Sequence, residues 1–190
     1  MRPPSRLIVA SSRESLDRLG RWRQDHPYRF TAGCALVVAI MGILTDSATA
    51  GAGYATTRAL LEGHAEVPTA YTLLKFCATW LSAWTGLPAG VFAPSLSIGA
   101  GIGHDVAAIT GVQGPATIPL IALGMAGFLA ATTQGPITAF IIVMEMVSGH
   151  AMVLSLMATA LLSSATARLI TRPMYTELAE VVARSNWLRL

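Results

Sequence analysis

The residues with the clearest chemical potential form a stretch rich in glycine and proline, TGLPAGVFAPS at residues 85–95. Gly90 frees the backbone, and Pro94 suits the first turn of a helix because its missing N–H costs no hydrogen bond there. A helix that begins near Phe92 leaves the N–H groups around Val91 and Phe92 without intrahelical acceptors. Those donors, together with the positive end of the helix dipole, form a site for an anion.

No charged side chain lies in this stretch. That suits an ion that must bind and then leave again, as in a permeation pathway. The candidate anion-binding residues are Gly90, Val91, Phe92, Ala93 and Pro94. The alternative is an ordinary helix start in a hydrophobic protein, and the residues alone favour neither interpretation.

The composition of the chain places this stretch in a membrane protein. Of its 190 residues, 53% are apolar and only 12% are charged, against about 25% charged in soluble domains. Mean hydropathy is +0.57. These values exclude a disordered chain and argue against a soluble enzyme, which needs more charge at its surface. Both cysteines lie in apolar stretches and are expected to be buried thiols rather than a disulfide framework.

Arginines are concentrated at the N-terminal end. Seven of them lie between residues 1 and 29, against three acidic residues. The positive-inside rule explains this block more simply than nucleic-acid binding does, so we expect the N-terminus in the cytoplasm. Four arginines from Arg168 onward predict the same side for the C-terminus, and therefore an even number of crossings.

The sequence predicts an all-α, multi-pass membrane protein with a basic cytoplasmic lead-in at 1–28 and a membrane domain at 29–186. Several apolar segments are shorter than the ~20 residues of a spanning helix, and most are closed by glycine or proline. Broken helices of this kind are tolerated where their backbone lines a cavity or binds a ligand, which favours a transporter or channel. The predicted helices are 30–44, 54–61, 71–84, 92–109, 119–132, 135–147 and 151–170, with a small-residue hinge at 46–53 and an amphipathic stretch from Pro173.

The GVFAP sequence at 90–94 resembles the G-x-F-x-P motif of the CLC family of chloride channels and chloride–proton antiporters. Order and spacing from about residue 30 to 183 resemble the second of the two inverted repeats in that family's membrane core. The other matching stretches are GAGY at 51–54, GMAGFLAA at 124–131, QGPIT at 134–138, IVMEM at 142–146 and PMY at 173–175.

The resemblance implies a fold of short, tilted helices and assigns roles to individual residues. Backbone amides of Val91 and Phe92 would coordinate a chloride ion, and the Tyr175 hydroxyl would donate to the same ion. A phenolic O–H is a neutral donor; the alternative for Tyr175 is an interfacial aromatic. Chloride would be the transported ligand, with no other cofactor.

The resemblance also implies a homodimer through the helices around 137–147 and 151–168. Ile141, Val153 and Leu156 are the candidate interface residues, and lipid contact is the alternative for each. The first repeat supplies the remaining site residues in the family, including the glutamate that gates the outer path, and no segment of this chain matches it. We therefore expect chloride transport, as a channel or an antiporter, with this chain contributing half of the anion site. The alternative is a non-conducting remnant or an assembly subunit that needs a separate first half.

Other residues receive structural interpretations. GAGIG at 99–103 lies in an apolar helix, where small residues favour close helix packing over dinucleotide binding. Lys75 is expected to extend from a helix start to the lipid headgroups. Asp105 is expected at an interface or vestibule, and Glu145 in a capping or hydrogen-bonding role. The four histidines show no metal-ligand spacing, and no catalytic arrangement is evident, so we expect neither a metal site nor an enzyme.

Overall fold

The computed structural model describes residues 26–63, 68, 70–85, 90–148 and 150–170, and the secondary-structure elements within them are all helices. The predicted all-α class is therefore confirmed. Two short 3₁₀ helices, Gly114–Ala116 and His150–Met152, precede the fifth and seventh helices. The α-helices are α1 Pro27–Leu44, α2 Tyr54–Leu61, α3 Tyr71–Trp84, α4 Phe92–Thr110, α5 Thr117–Thr133, α6 Pro136–Val147 and α7 Val153–Ile170.

Helix α5 lies at the centre of the packing and contacts α4, α6 and α7. Small residues alternate with larger ones along it, so neighbouring helices approach closely on several sides. Val143 of α6 and Leu156 of α7 complete the core around it. The fully buried residues of α5 are Ile121, Ala122, Met125, Ala126, Leu129 and Ala130.

Glycines on α4 allow it to pack directly against the α5 backbone. A Cβ atom placed on Gly99 would lie 2.6 Å from the carbonyl oxygen of Gly124 and 2.7 Å from the Cα of Met125. One placed on Gly103 would collide with the carbonyl oxygen of Leu120. The glycines at 99–103 therefore serve close helix packing, as predicted.

Two helical segments in the described part of the chain are long and apolar enough to cross a membrane. They are Gly114–Thr133, of 20 residues, and Val153–Ile170, of 18 residues. Tyr28–Leu44 and Pro136–Val147 are apolar but shorter. The number of crossings and the side of each terminus stay predictions, as do the domain bounds at 28 and 186.

One expected interface residue lies elsewhere. Leu156 is fully buried in the core of the chain, so its assignment to a subunit interface was wrong. Large apolar residues are spread around α7 and its polar residues are mostly small hydroxyls, so its sequence does not show which side faces α5. Ile141 is 43% exposed and Val153 is half-buried, so both remain accessible in the chain.

Candidate functional site

Helix α4 begins where the sequence predicts. Val91 is its N-cap residue, and among the described residues no side chain caps it. The first intrahelical hydrogen bond is donated by the Ser95 N–H to the Val91 carbonyl oxygen, at 3.0 Å. The amides of Phe92 and Ala93 precede that bond, and Pro94 has no N–H to satisfy.

The start of α4 lies at the surface of the described chain, while most residues from Ser95 to Gly103 are buried. Gly90 and Ala93 are exposed, Phe92 is 39% exposed, and Val91 is half-buried. From Ser95, which is 2% exposed, α4 enters the interior. The partial positive charge of a helix N-terminus, about +0.5 of an elementary charge, is thus presented outward from a firmly packed helix.

One face of α4 is attached to α3 by residues spaced four apart. The Tyr71 hydroxyl and the Ser97 hydroxyl form a buried hydrogen bond of 2.6 Å. One turn further on, Gly101 packs against Tyr71 and Thr72. A turn later, the Thr72 hydroxyl donates to Asp105 Oδ2 at 2.6 Å. Asp105, expected at an interface or vestibule, therefore joins α4 to α3.

Lys75 does not extend to the headgroups, and that prediction was wrong. Its side chain is only 1% exposed. The ammonium group donates to the carbonyl oxygens of Thr49 at 2.9 Å and Gly51 at 2.8 Å. Both carbonyls belong to residues 45–53, which we call the 45–53 turn. The sequence carried one signal for this arrangement, a single lysine inside an apolar helix.

The 45–53 turn has an unusual backbone. Asp46, Ser47, Gly51 and Gly53 all have positive φ angles, between 50° and 82°. A Cβ atom on Gly53 would collide with the Ser97 side chain, so only glycine fits at this point of closest approach. The turn therefore contacts α4 directly.

Other predicted residues lie away from the start of α4. Glu145 is exposed in the last turn of α6. Tyr175 and the stretch from Pro173 are outside the described residues, so their position relative to Val91 and Phe92 stays a prediction. Within the described ranges, no group of three or more histidine, cysteine, aspartate or glutamate residues could hold a metal ion.

Two open cavities lie beside α2, and residues 90–94 line neither of them. Their volumes are about 480 and 610 Å³. Arg58 and Glu62 line the smaller cavity and form an exposed ion pair of 2.7 Å at i, i+4 spacing. The hydrogen bond and charge of Glu62 raise the pKa of Arg58. Because residues 90–94 lie outside both cavities, the candidate anion site is an exposed helix terminus rather than an enclosed pocket.

Comparison with known proteins identifies relatives of this sequence. The family model described as voltage gated chloride channel matches residues 6–168. The chain is 31% identical over 152 residues to the voltage-gated ClC-type chloride channel ClcB of Escherichia coli O8 (strain IAI1) and of Escherichia coli (strain 55989 / EAEC). That match covers 77% of this chain and 36% of each relative. No solved structure is significantly similar to the chain.

The resemblance inferred from GVFAP and the accompanying motifs thus extends over most of the sequence. The same motif forms the start of α4, where no side chain of the described residues caps the helix. The chain belongs to the voltage-gated chloride channel (CLC) family.

Proposed function

We propose that this chain forms the second half of a chloride site and takes part in moving chloride across a membrane. The chain spans about a third of the length of the relatives it matches, 36%. The complete activity, as a channel or as a chloride–proton antiporter, is therefore part of the proposal. Its strongest support is the combination of the family match with the uncapped, exposed start of α4.

In this mechanism a partly dehydrated chloride ion passes the first turn of α4. The amides of Val91 and Phe92 replace water molecules of the hydration shell, and the Tyr175 hydroxyl donates a further hydrogen bond to the ion. All three donors are neutral, so the ion is held without a full countercharge and can leave again. No enzymatic step and no cofactor other than the transported ion is involved.

The packing of α4 supports this role because a binding terminus needs a rigid support. Gly99 and Gly103 place α4 in backbone contact with α5, and Ser97 and Asp105 hydrogen-bond to α3. The first turn, by contrast, has exposed residues and no side-chain cap. The arrangement combines a fixed helix axis with accessible N–H groups.

We also propose that α6 and α7 form a homodimer interface, with both termini in the cytoplasm. Large apolar side chains on these helices are exposed in the single chain, among them Ile137 at 65%, Leu154 at 76% and Leu162 at 71%. Lipid would cover the same side chains in a monomer. Cross-linking in liposomes between cysteines introduced at position 137 distinguishes the two arrangements.

The transport proposal is tested by chloride efflux from liposomes that contain the purified chain, with external pH recorded. Tyr175→Phe removes the proposed hydroxyl donor, and Tyr54→Phe is the matched control, since Tyr54 is exposed on α2 at 67%. Efflux that Tyr175→Phe reduces and Tyr54→Phe does not would support the proposal, and coupled proton movement would indicate an antiporter.

Absence of efflux from correctly inserted chain would favour the alternative of a non-conducting remnant or a subunit that needs a separate first half. Calorimetric titration with chloride then separates these two cases. A subunit that provides half of the site retains weak chloride binding that depends on Tyr175. Absence of binding would contradict the proposed site itself.

A further inference from the structure

Lys75 is the only lysine in the 190-residue chain, and its side chain is buried to 99%. Among the residues that the structure describes, it forms no ion pair. Burying an ammonium group is costly unless hydrogen bonds compensate it. A buried lysine on an apolar helix is therefore expected to make specific hydrogen bonds.

The contact is with the backbone of the 45–53 turn. Carbonyl oxygens of Thr49 and Gly51 accept hydrogen bonds from the ammonium group at 2.9 and 2.8 Å. Two of the four positive φ angles in the turn belong to Asp46 and Ser47, where a side chain makes this conformation costly without tertiary support. Lys75 thus binds the turn to α3 at two points.

The 45–53 turn, which Lys75 binds, also contacts α4. Gly53 lies so close to Ser97 that a methyl group would not fit between them. Ser97 also hydrogen-bonds to Tyr71, which lies one turn before Lys75 on the same face of α3. At a rise of about 1.5 Å per residue, Ser97 is about 7.5 Å along the axis from Phe92.

We infer that Lys75 is a positioning residue for the anion-binding start of α4. Its ammonium group holds the 45–53 turn, which together with Tyr71 encloses Ser97 and fixes the direction of the first turns of α4. This inference rests on the proposed chloride site at Val91 and Phe92. The lysine itself does not touch the ion.

Hydrogen exchange of the full chain in detergent micelles tests the positioning directly. Lys75→Met keeps a long apolar side chain but removes the charge and its donors. We expect exchange in this variant to rise about tenfold or more in the 45–53 turn and also at the amides of residues 95–98. Lys75→Arg should restore protection in both places because it keeps the charge and several donors.

Leu156→Ala is the control for a general loss of stability, because Leu156 lies in the core on α7. It should lower the melting temperature without selective deprotection at 95–98. If Lys75→Met does not fold, Lys75→Gln replaces it, since its shorter neutral side chain cannot reach both carbonyl oxygens. Unchanged exchange at 95–98 in a folded neutral variant would overturn the inference, even if the turn itself loosened.

Chloride titration of the same variants separates this inference from the proposed function. In Lys75→Met the dissociation constant for chloride should rise about tenfold, the effect of losing roughly one optimally placed hydrogen bond. Lys75→Arg should stay within about threefold of the unaltered chain, and so should Leu156→Ala. If the unaltered chain binds no chloride, the proposed function fails while the exchange result still decides the positioning role. If the unaltered chain binds chloride and Lys75→Met binds it with the same affinity, the positioning inference is overturned while the proposed function stands.

Discussion

The close packing of α4 on α5 predicts that one substitution, glycine to alanine, has opposite effects at two positions. In Gly99→Ala the new methyl group would lie 2.6 Å from the carbonyl oxygen of Gly124, whereas ordinary contact begins at 3.4 Å. The neighbouring atoms belong to the α5 backbone, which cannot turn aside as a flexible side chain can. The two helices must therefore separate by about 0.8 Å at this point.

The expected cost can be compared with the gain in helix propensity. Overpacking of this kind costs about 1–3 kcal/mol, while alanine gains about 0.5–1 kcal/mol over glycine within a helix. Gly99→Ala should therefore be destabilising by up to about 2.5 kcal/mol. Gly33→Ala in α1 meets nothing within 4 Å, so it should be stabilising by about 0.5–1 kcal/mol.

Unfolding of both variants in detergent, followed by circular dichroism, measures this difference. For a chain of this size, about 1 kcal/mol corresponds to a shift in Tm of about 2–4 °C. Gly99→Ala should melt below the unaltered chain and Gly33→Ala at or above it. Equal Tm values for the two variants would refute the backbone contact between α4 and α5.

Three further perturbations test other contacts. Leu156→Ala should lower the free energy of unfolding by about 2–5 kcal/mol because it opens a cavity in the core; a change below 1 kcal/mol would contradict its burial. Lys75 should react with an amine-directed acylating reagent about tenfold or more slowly than the exposed lysine introduced by Arg58→Lys, and equal labelling measured by mass spectrometry would contradict the buried ammonium. Tyr71→Phe should cost about 1–3 kcal/mol because it leaves the Ser97 hydroxyl without its partner, and a double-mutant cycle with Ser97→Ala that shows no coupling would exclude that hydrogen bond.

Local signals in the sequence predicted the helices well. The bounds of α2 and α3 agree with the predicted 54–61 and 71–84, because turn-forming glycine and proline residues flank both helices. The start of α4 followed from Gly90 and Pro94, which mark the end of a loop and the first turn of a helix. Helix α1 begins at Pro27 rather than at residue 30, since proline is favoured at a first helical position.

Tertiary contacts were less predictable. The position of Lys75 in an apolar helix is compatible with extension to the headgroups, and only the folded chain brings the carbonyls of Thr49 and Gly51 within reach. Leu156 shows the same limit, because a helix whose large apolar residues are spread around its surface has little amphipathic signal to orient it. The role of Tyr175 stays a prediction, since it depends on a contact outside the described residues.

The most direct test of the central claim is calorimetric titration of the full chain with chloride after deletion of one backbone amide. Val91→Pro removes the N–H at the N-cap position. In the unaltered chain Val91 has a φ of −90°, which is near the value that proline requires. Val91→Ala is the matched control because it shortens the side chain and keeps the amide. Loss of a hydrogen bond to a charged group, about 1.5–3 kcal/mol, corresponds to a dissociation constant about 10- to 100-fold higher.

We expect Val91→Pro to raise the dissociation constant for chloride by this factor and Val91→Ala to leave it nearly unchanged. Equal chloride affinity in the two variants, with both folded, would contradict the assignment of the start of α4 as the anion site.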